Sequence, residues 1–480
     1  MRHHFVLRGF AAALVWMALA PVAGWGQRAQ TADEVPAAVA TAWFDVLYDV
    51  VKMEQRSAPV AARTYGLAAV ALYEAVVLGS RTHQPLVGQL NGWPPDRDNP
   101  PATALRALLS RAMPGLAGTM GTPAPLGTAE GPVFLSRWLD WPTAANSALA
   151  RVLQGLFPTP SSGSLAILTA TEQAFASEAR ARVPKHVYAL SVVWGHVVAE
   201  AVLAWARTDG FAMLNDCPYT PPVGAGLWEP TPPAFTPPLQ PCWGQLHPLV
   251  LTSGEACAPP PPPAYAINPA SAFYALSLEV YTTSVHLTGE QRTIAHYWAD
   301  LSRTTGTPPG HWIAIVGQLS RREPLFLMTA AEGFARVGLA VADAFISCWH
   351  TKYTYNLLRP ETYITRHIDP NWVPLLITPG FPAYTSGHST QSGAAATVLT
   401  DLFGLRPFTD TLHQDHDLEP RLEPRSFGSF EEAAEEAARS RLYAGIHYPF
   451  DNDNGLAQGR CVGQAILDRV RFMKPEREPR

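Results

Sequence analysis

At 480 residues, 47% apolar and 16% charged, the chain is long enough for one large or two ordinary domains and buries a substantial core, which excludes disorder as the whole answer. A formal charge of −5 argues against nucleic acid as a partner. The spacing of the five cysteines and the lack of clustered histidines argue against a zinc site.

Residues 1–26 read as a secretory signal peptide. Arg2 and Arg8 precede the apolar run Phe10 to Ala20, which is short for a membrane span, and Gly24 and Gly26 offer a cleavage site. Losing the two arginines takes the formal charge from −5 to −7. The expected product is an exported (periplasmic or secreted) chain with no integral membrane segment. An N-terminal helical region, residues 32–265, follows. Within it, Pro36 to Glu54 and Pro59 to Leu78 have helical spacing, with Trp43, Leu47 and Val50 along one stripe. Leu86 to Pro132 is loop-rich around a short helical run near Leu105, and helices resume over Thr169 to Arg182 and His186 to Arg207. The apolar stretch Val187 to Trp205, interrupted by His196 and Glu200, reads as a buried helix of a soluble protein.

Residues 211–265 are proline-dense and close on the run Pro259 to Pro263, which neither a helix nor a central strand accommodates. Such a segment is either a spacer or an ordered loop walling a pocket, and Trp228, Phe235 and Trp243 favour the second, because a spacer gains little from aromatics. It also carries Cys217, Cys242 and Cys257, among which an exported chain is expected to form one disulfide, whereas Cys348 and Cys461 fall in helical patterns. The C-terminal region, residues 266–475, is again helical. Ala330 to Leu358 places Val337, Val341, Ala344 and Cys348 on one apolar stripe. Alternation of period two is scarce, so the fold class is all-α: a helical bundle with long Pro-rich loops.

Three stretches of that last region together supply a pocket for a tetrahedral oxyanion. Lys352 and Arg359 are seven residues apart, close to two helical turns, so on one helix both cations face the same way, and Pro360 predicts that this helix ends at Arg359. Ser386 in Tyr384-Thr385-Ser386-Gly387-His388 is placed to N-cap a helix over Ala394 to Phe403, turning backbone N–H groups near Gly387 toward an anion. Ser429-x-x-Glu432 opens a helix through Arg441 and Tyr443, and Gly445 ends it, so His447 need not share a face with Arg441. An anion taken out of water needs several fixed donors. Lys352, Arg359 and Arg441 supply charge, with Ser386 and the Gly387 N–H as neutral donors. His413 and His416 beside Asp415 and Asp417 read as a solvated acidic loop, and Asp451-Asn452-Asp453 lacks the remaining positions of a calcium loop.

Lys352-x6-Arg359-Pro360, then Ser386-Gly387-His388, then Ser440-Arg441-x5-His447-x3-Asp451 resembles the signature shared by vanadium-dependent haloperoxidases and the type 2 phosphatidic acid phosphatase superfamily. The resemblance implies a helical bundle of the vanadium haloperoxidase / acid phosphatase type. It implies orthovanadate as cofactor, with no haem and no flavin, and hydrogen peroxide, halide and a small organic acceptor as partners. His447 would bond vanadium and Asp451 would orient it; His388 would accept the peroxide proton, and Lys352 would polarise the peroxide for attack by halide. Trp349 and Phe381 look like the aromatic lining of the halide side in the bacterial chloroperoxidase-like branch, and Ser389 stands where bromoperoxidase-type enzymes carry a histidine. Tyr297-Trp298-Ala299-Asp300 is similar to the segment in which the family places a carboxylate behind its arginines, which singles out Asp300. Thr385 stands where the family has proline and predicts a less rigid turn. The same residues around phosphate make a soluble acid phosphatase with His447 as nucleophile and His388 as acid. A non-catalytic oxyanion-binding protein is the third reading, and a homodimer is compatible with all three.

Overall fold

Helical periodicity dominates the chain, and the computed structural model, which describes residues 30–93 and 131–475, is correspondingly almost all α. Its main helices are α1 (Ala38–Met53), α2 (Ala58–Val76), α3 (Trp141–Leu156), α4 (Ser162–Arg182), α5 (Lys185–Ala206), α6 (Ala272–Val285) and α7 (Gly289–Tyr297). They continue with α8 (Thr307–Arg322), α9 (Leu327–Tyr355), α10 (Pro360–His367), α11 (Gly387–Phe403), α12 (Phe430–Tyr443) and α13 (Pro449–Arg469). A short antiparallel pair, Phe408–Asp410 with Arg425–Phe427, joins Phe408 to Phe427 in register. The signal reading of residues 1–26 and the helical run near Leu105 lie outside the described residues.

α9 is apolar or small on nearly every face and is buried along most of its length, so it forms the axis of the bundle. One hydrophobic cluster extends from Ala32 to Phe472 and draws on helices from both sides of residue 265. α3 is absent from the sequence reading, although Asp140 caps it, accepting from the Thr143 N–H, with a proline in its first turn. α5 differs from its expected full burial. Trp194, Val198 and Val202 face inward, while Ala189, Val193, His196 and Glu200 form an exposed stripe, so the two polar residues interrupting the apolar run mark its solvent face. By length and composition both α5 and α2 with its following turn could cross a membrane, but the apolar window of α2 is 89% buried inside the fold.

The Pro-rich segment is a wall rather than a spacer. Trp228 and Trp243 are buried, whereas Phe235 is 61% exposed. Two disulfides secure the segment: Cys217–Cys242, within the expected set, and Cys257–Cys461, which the helical setting of Cys461 did not suggest. Cys348 is the free cysteine, buried on α9.

α11 and α13, whose N-terminal ends present Ser386, Gly387, His388 and Asp451, pack closely, and small residues set their separation. A Cβ on Gly459 would lie 2.0 Å from the Thr390 carbonyl oxygen, and one on Gly455 would lie 2.8 Å from the Ser389 Cβ. Backbone on both sides leaves nothing to yield, so Gly459→Val is expected to cost about 3 kcal/mol, the upper end of overpacking. Chemical denaturation would show this as a lower midpoint at unchanged slope.

Candidate active site

α9 ends at Asn356, whose left-handed backbone (φ 48°) caps it with an N–H bond to the Lys352 carbonyl. The next residues run extended: Trp228 N–H donates to Asn356 O, and Leu358 N–H donates to Gly226 O. Arg359 therefore does not share a helix with Lys352. It is the extended residue before Pro360 (ψ 152°), and Pro360 opens α10 instead of closing α9. The two cations still meet, because this extended turn folds back over the helix end. Both sit against Phe381, Lys352 Nζ 4.9 Å and the Arg359 guanidinium 4.8 Å from its ring centre.

Ser386 caps α11 as expected, its hydroxyl accepting from the Ser389 N–H at 3.4 Å. His388 follows in the first turn. Arg441 lies in the last turn of α12, Gly445 (φ 77°) turns the chain, and His447 sits in the link before α13, whose first turn holds Asp451. The structure thus brings Lys352, Arg359, Ser386, Gly387, His388, Arg441, His447 and Asp451 to one place. Beside them opens a cavity of about 420 Å³ lined by Trp349, Phe381, Asp300, Arg441 and both histidines. Pro232, Ala234, Pro237 and Leu239 of the Pro-rich wall form its other side.

His447 is held in one tautomer. Arg359 Nη1 donates to its Nε2 at 3.2 Å, so Nε2 carries the lone pair, and Nδ1–H donates to Asp451 Oδ2 at 2.9 Å. Burial, followed by the charges of Arg359, Lys352 and Arg441, holds His447 well below the usual histidine range. His388 is likewise held well down, by burial first and then by Arg441 and His311, and its Nε2 has no hydrogen-bond partner. Both imidazoles are thus neutral, and the Nε2 of His388 is without a partner while that of His447 accepts from Arg359. Burial lowers Arg359 and Arg441 only to about 10, so both stay charged at neutral pH.

Lys352 Nζ donates to the carbonyls of Pro382, Ala383 and Thr385 at 2.9, 3.0 and 2.5 Å. All three of its protons are thus used in shaping the turn ahead of Ser386, and none is left over for a bound anion. Burial, with the charge of Arg359, pulls its ammonium down to about 7 against the opposing effect of Cys348 and Asp451. Thr385 also corrects the expectation of a loose turn. It is fully buried, and its hydroxyl donates at 2.6 Å to Gln458, whose amide in turn donates to Ser347 and Thr351 of α9.

Two further expectations change. Ser389 points away from the cavity into the α11–α13 contact, its hydroxyl 3.4 Å from Asn452 Oδ1, because position 389 is turned about 100° around the helix from His388. His413 is not solvated: it is buried, stacks on Tyr297 and meets the carbonyls of Pro420 and Tyr297.

Asp300, which the resemblance sets behind the arginines, lies in the pocket wall 4.0 Å from His388 Nε2. Behind it lie residues the sequence reading missed. His311 Nδ1 is 3.0 Å from Asp300 Oδ2, and its Nε2 is 2.7 Å from Asp410 Oδ2. These two carboxylates lift His311 to about 10 against its complete burial, and Asp410 drops to about 2. The only hint in the sequence was a histidine just past the first turn of a Pro-Pro-initiated helix that follows Asp300. A raised histidine stabilises the fold fully below its unfolded value near 6.5. That contribution is lost as pH climbs toward 10, so the denaturation midpoint is expected to fall between pH 7 and pH 10, with less slope in His311→Gln.

Buried cations and two neutral imidazoles around one point give this helical protein the donor set of an oxyanion site, and Arg359 Nη2, buried without a partner beside His447, is a donor that such an anion would satisfy. Comparison with known proteins narrows the class. Residues 366–474 match the family described as the VCPO second helical-bundle domain. The chain is 31% identical to the first bacterial vanadium-dependent iodoperoxidase of known structure, with a TM-score of 0.78 over 92% of this chain and 98% of that one. It therefore belongs to the vanadium haloperoxidase family.

Among curated relatives, the vanadium chloroperoxidase of Curvularia inaequalis is 28% identical over 213 residues, which is 32% of this chain and 35% of that protein. The vanadium-dependent bromoperoxidase of Ascophyllum nodosum is 36% identical over 94 residues, 18% of this chain and 17% of that protein. The matched stretches thus span about a third of these relatives' length or less. A bacterial vanadium-dependent chloroperoxidase in its holo form shares the fold, with a TM-score of 0.59 at 12% identity over 86% of this chain and 92% of that one.

Proposed function

We propose that the chain is an exported vanadate-dependent peroxidase that oxidises halide with hydrogen peroxide to a hypohalous species, which a small organic acceptor consumes. The observation that carries this reading is the pair of neutral imidazoles among three buried cations, His447 with its Nε2 lone pair turned to Arg359 and His388 with an unpartnered Nε2. Orthovanadate supplies Lewis-acid activation of peroxide without a change in its own oxidation state. His447 Nε2 would bond it, and Arg359, Arg441, Ser386 and the Gly387 N–H would hold its oxygens. Lys352 fixes the turn that presents Ser386 and Gly387 and adds positive charge from below. His388 Nε2 accepts the peroxide proton. Trp349 and Phe381 give the halide an apolar, cation-backed wall.

The phosphatase alternative asks His388 to donate a proton to a leaving alkoxide. Burial, and then the charges of Arg441 and His311, keep it neutral at rest, the form that accepts a proton rather than donates one. Export is supported by the N-terminal pattern and by the two disulfides, which persist in oxidising compartments. The test is halogenation of a cyclic diketone by vanadate-free protein before and after adding orthovanadate, beside hydrolysis of an aryl phosphate. Activity is expected only in the first assay and only with vanadate. No gain on vanadate addition sinks the peroxidase reading.

A further inference from the structure

Proton counting around His311 carries an argument independent of the anion pocket. Asp410 accepts four hydrogen bonds: Oδ1 from Gln318 Nε2 (2.9 Å) and the Leu412 N–H (3.0 Å), Oδ2 from the Tyr297 hydroxyl (2.8 Å) and His311 Nε2 (2.7 Å). With both oxygens used twice as acceptors it is ionised, so His311 Nε2 bears a proton. Nδ1 faces both oxygens of Asp300 at 3.1 and 3.0 Å. A bare Nδ1 there would set its lone pair against a carboxylate, so the arrangement closes only with a proton on each ring nitrogen. The Trp298 indole, stacked 4.2 Å away at 17°, suits such a cation. All three groups are buried.

We propose that His311 is a positioning residue: a buried imidazolium, fixed by Asp410, that pins the Asp300 carboxylate in the cavity wall against His388 and Arg441. Asp300 needs such an anchor. Its backbone is left-handed (φ 46°), and beyond its bonds to His311 the side chain has no hydrogen bond to Arg441, only the approach to His388. Without His311 it would turn toward the nearest cation, and the charge balance around the anion would change. Asp410 keeps His311 from rotating, and Gln318 and Tyr297 keep Asp410 in place. The loop after Asp300 is similarly constrained, since a Cβ on Gly306 would lie 2.2 Å from the Tyr48 ring. Lines of buried charge of this kind set the geometry of the groups that touch a cofactor.

The effect on turnover rests on the peroxidase reading, whereas the ring protons and the affinity for orthovanadate do not. In protein labelled with 15N at histidine, His311 is expected to show two far-downfield, slowly exchanging ring protons that persist well above the ordinary histidine range. Both should be missing in His311→Gln. That variant, checked for folding by its thermal midpoint, should bind orthovanadate about 10–100-fold more weakly or lose turnover by a similar factor. A single ring proton on wild-type His311 at pH 7 overturns the proposal, and it does so even if the variant does not fold. A folded His311→Gln with vanadate affinity and turnover within about twofold of wild type overturns it as well, that change being far below the effect of a supporting partner. Should the wild-type protein show no halide oxidation at all, the ring protons and the vanadate affinity still decide.

Discussion

Replacing His447 with alanine is expected to abolish both orthovanadate binding and halide oxidation. The imidazole is committed on both sides: Asp451 takes its Nδ1 proton, and Arg359 bonds the Nε2 lone pair. Nε2 is thus a neutral donor atom oriented among the cations and prepared to bond an electron-poor centre. Removing it also leaves the Asp451 carboxylate, which burial already pushes up to about 7, without its side-chain partner. Losing a partner behind a ligand costs about 10–100-fold in affinity, and loss of the ligand itself should exceed that. Titration of vanadate-free protein measures the loss. Asp451→Asn should fall between this variant and wild type, because an amide can still meet Nδ1 but no longer favours the required tautomer.

His388→Ala should separate binding from turnover. The ring is about one-sixth exposed to the cavity, its Nε2 has no partner, and it makes no hydrogen bond to any of the anion-holding cations. Vanadate affinity should therefore change little while halogenation falls about 10²–10⁴-fold, the usual worth of a positioned general base. A parallel collapse of affinity and rate would instead place His388 among the groups that hold the anion. An unchanged rate would remove it from proton transfer altogether.

The legible part of the site was the part written in local chemistry. Ser386 before Gly387 and His388, the capping serine at 429 and the turn at Gly445 each depend on a few consecutive residues, and each is found where local rules place it. The error over Arg359 arose one step further out. Helical spacing between Lys352 and Arg359 looked sufficient, but Asn356 stops α9 three residues earlier, because pairing of 356–358 with 226–228 rewards an extended chain. Ser389 failed for a related reason, since adjacency to His388 on a helix turns a side chain by about 100° and out of the pocket.

The missed residues share a different property. His311 and Asp410 are 99 residues apart, and Cys257 and Cys461 are 204 apart. No periodicity or spacing connects such pairs. A lone histidine in an apolar helix and a lone aspartate at the end of a short strand are individually unremarked, and their charges acquire meaning only when burial removes water from between them.

What the sequence determined by itself was composition-level and local: an all-α chain, the Pro-rich segment as something other than helix or strand, and three blocks with the donors of an oxyanion site. Those follow from side-chain chemistry and from hydrogen bonds closed within a few residues. Only the tertiary structure decided that Lys352 spends its donors on carbonyls, that Thr385 is tied to Gln458, and that Asp300 is backed by a buried imidazolium. Each of those depends on which groups lose water together, and desolvation is a property of the packed molecule rather than of any stretch of chain.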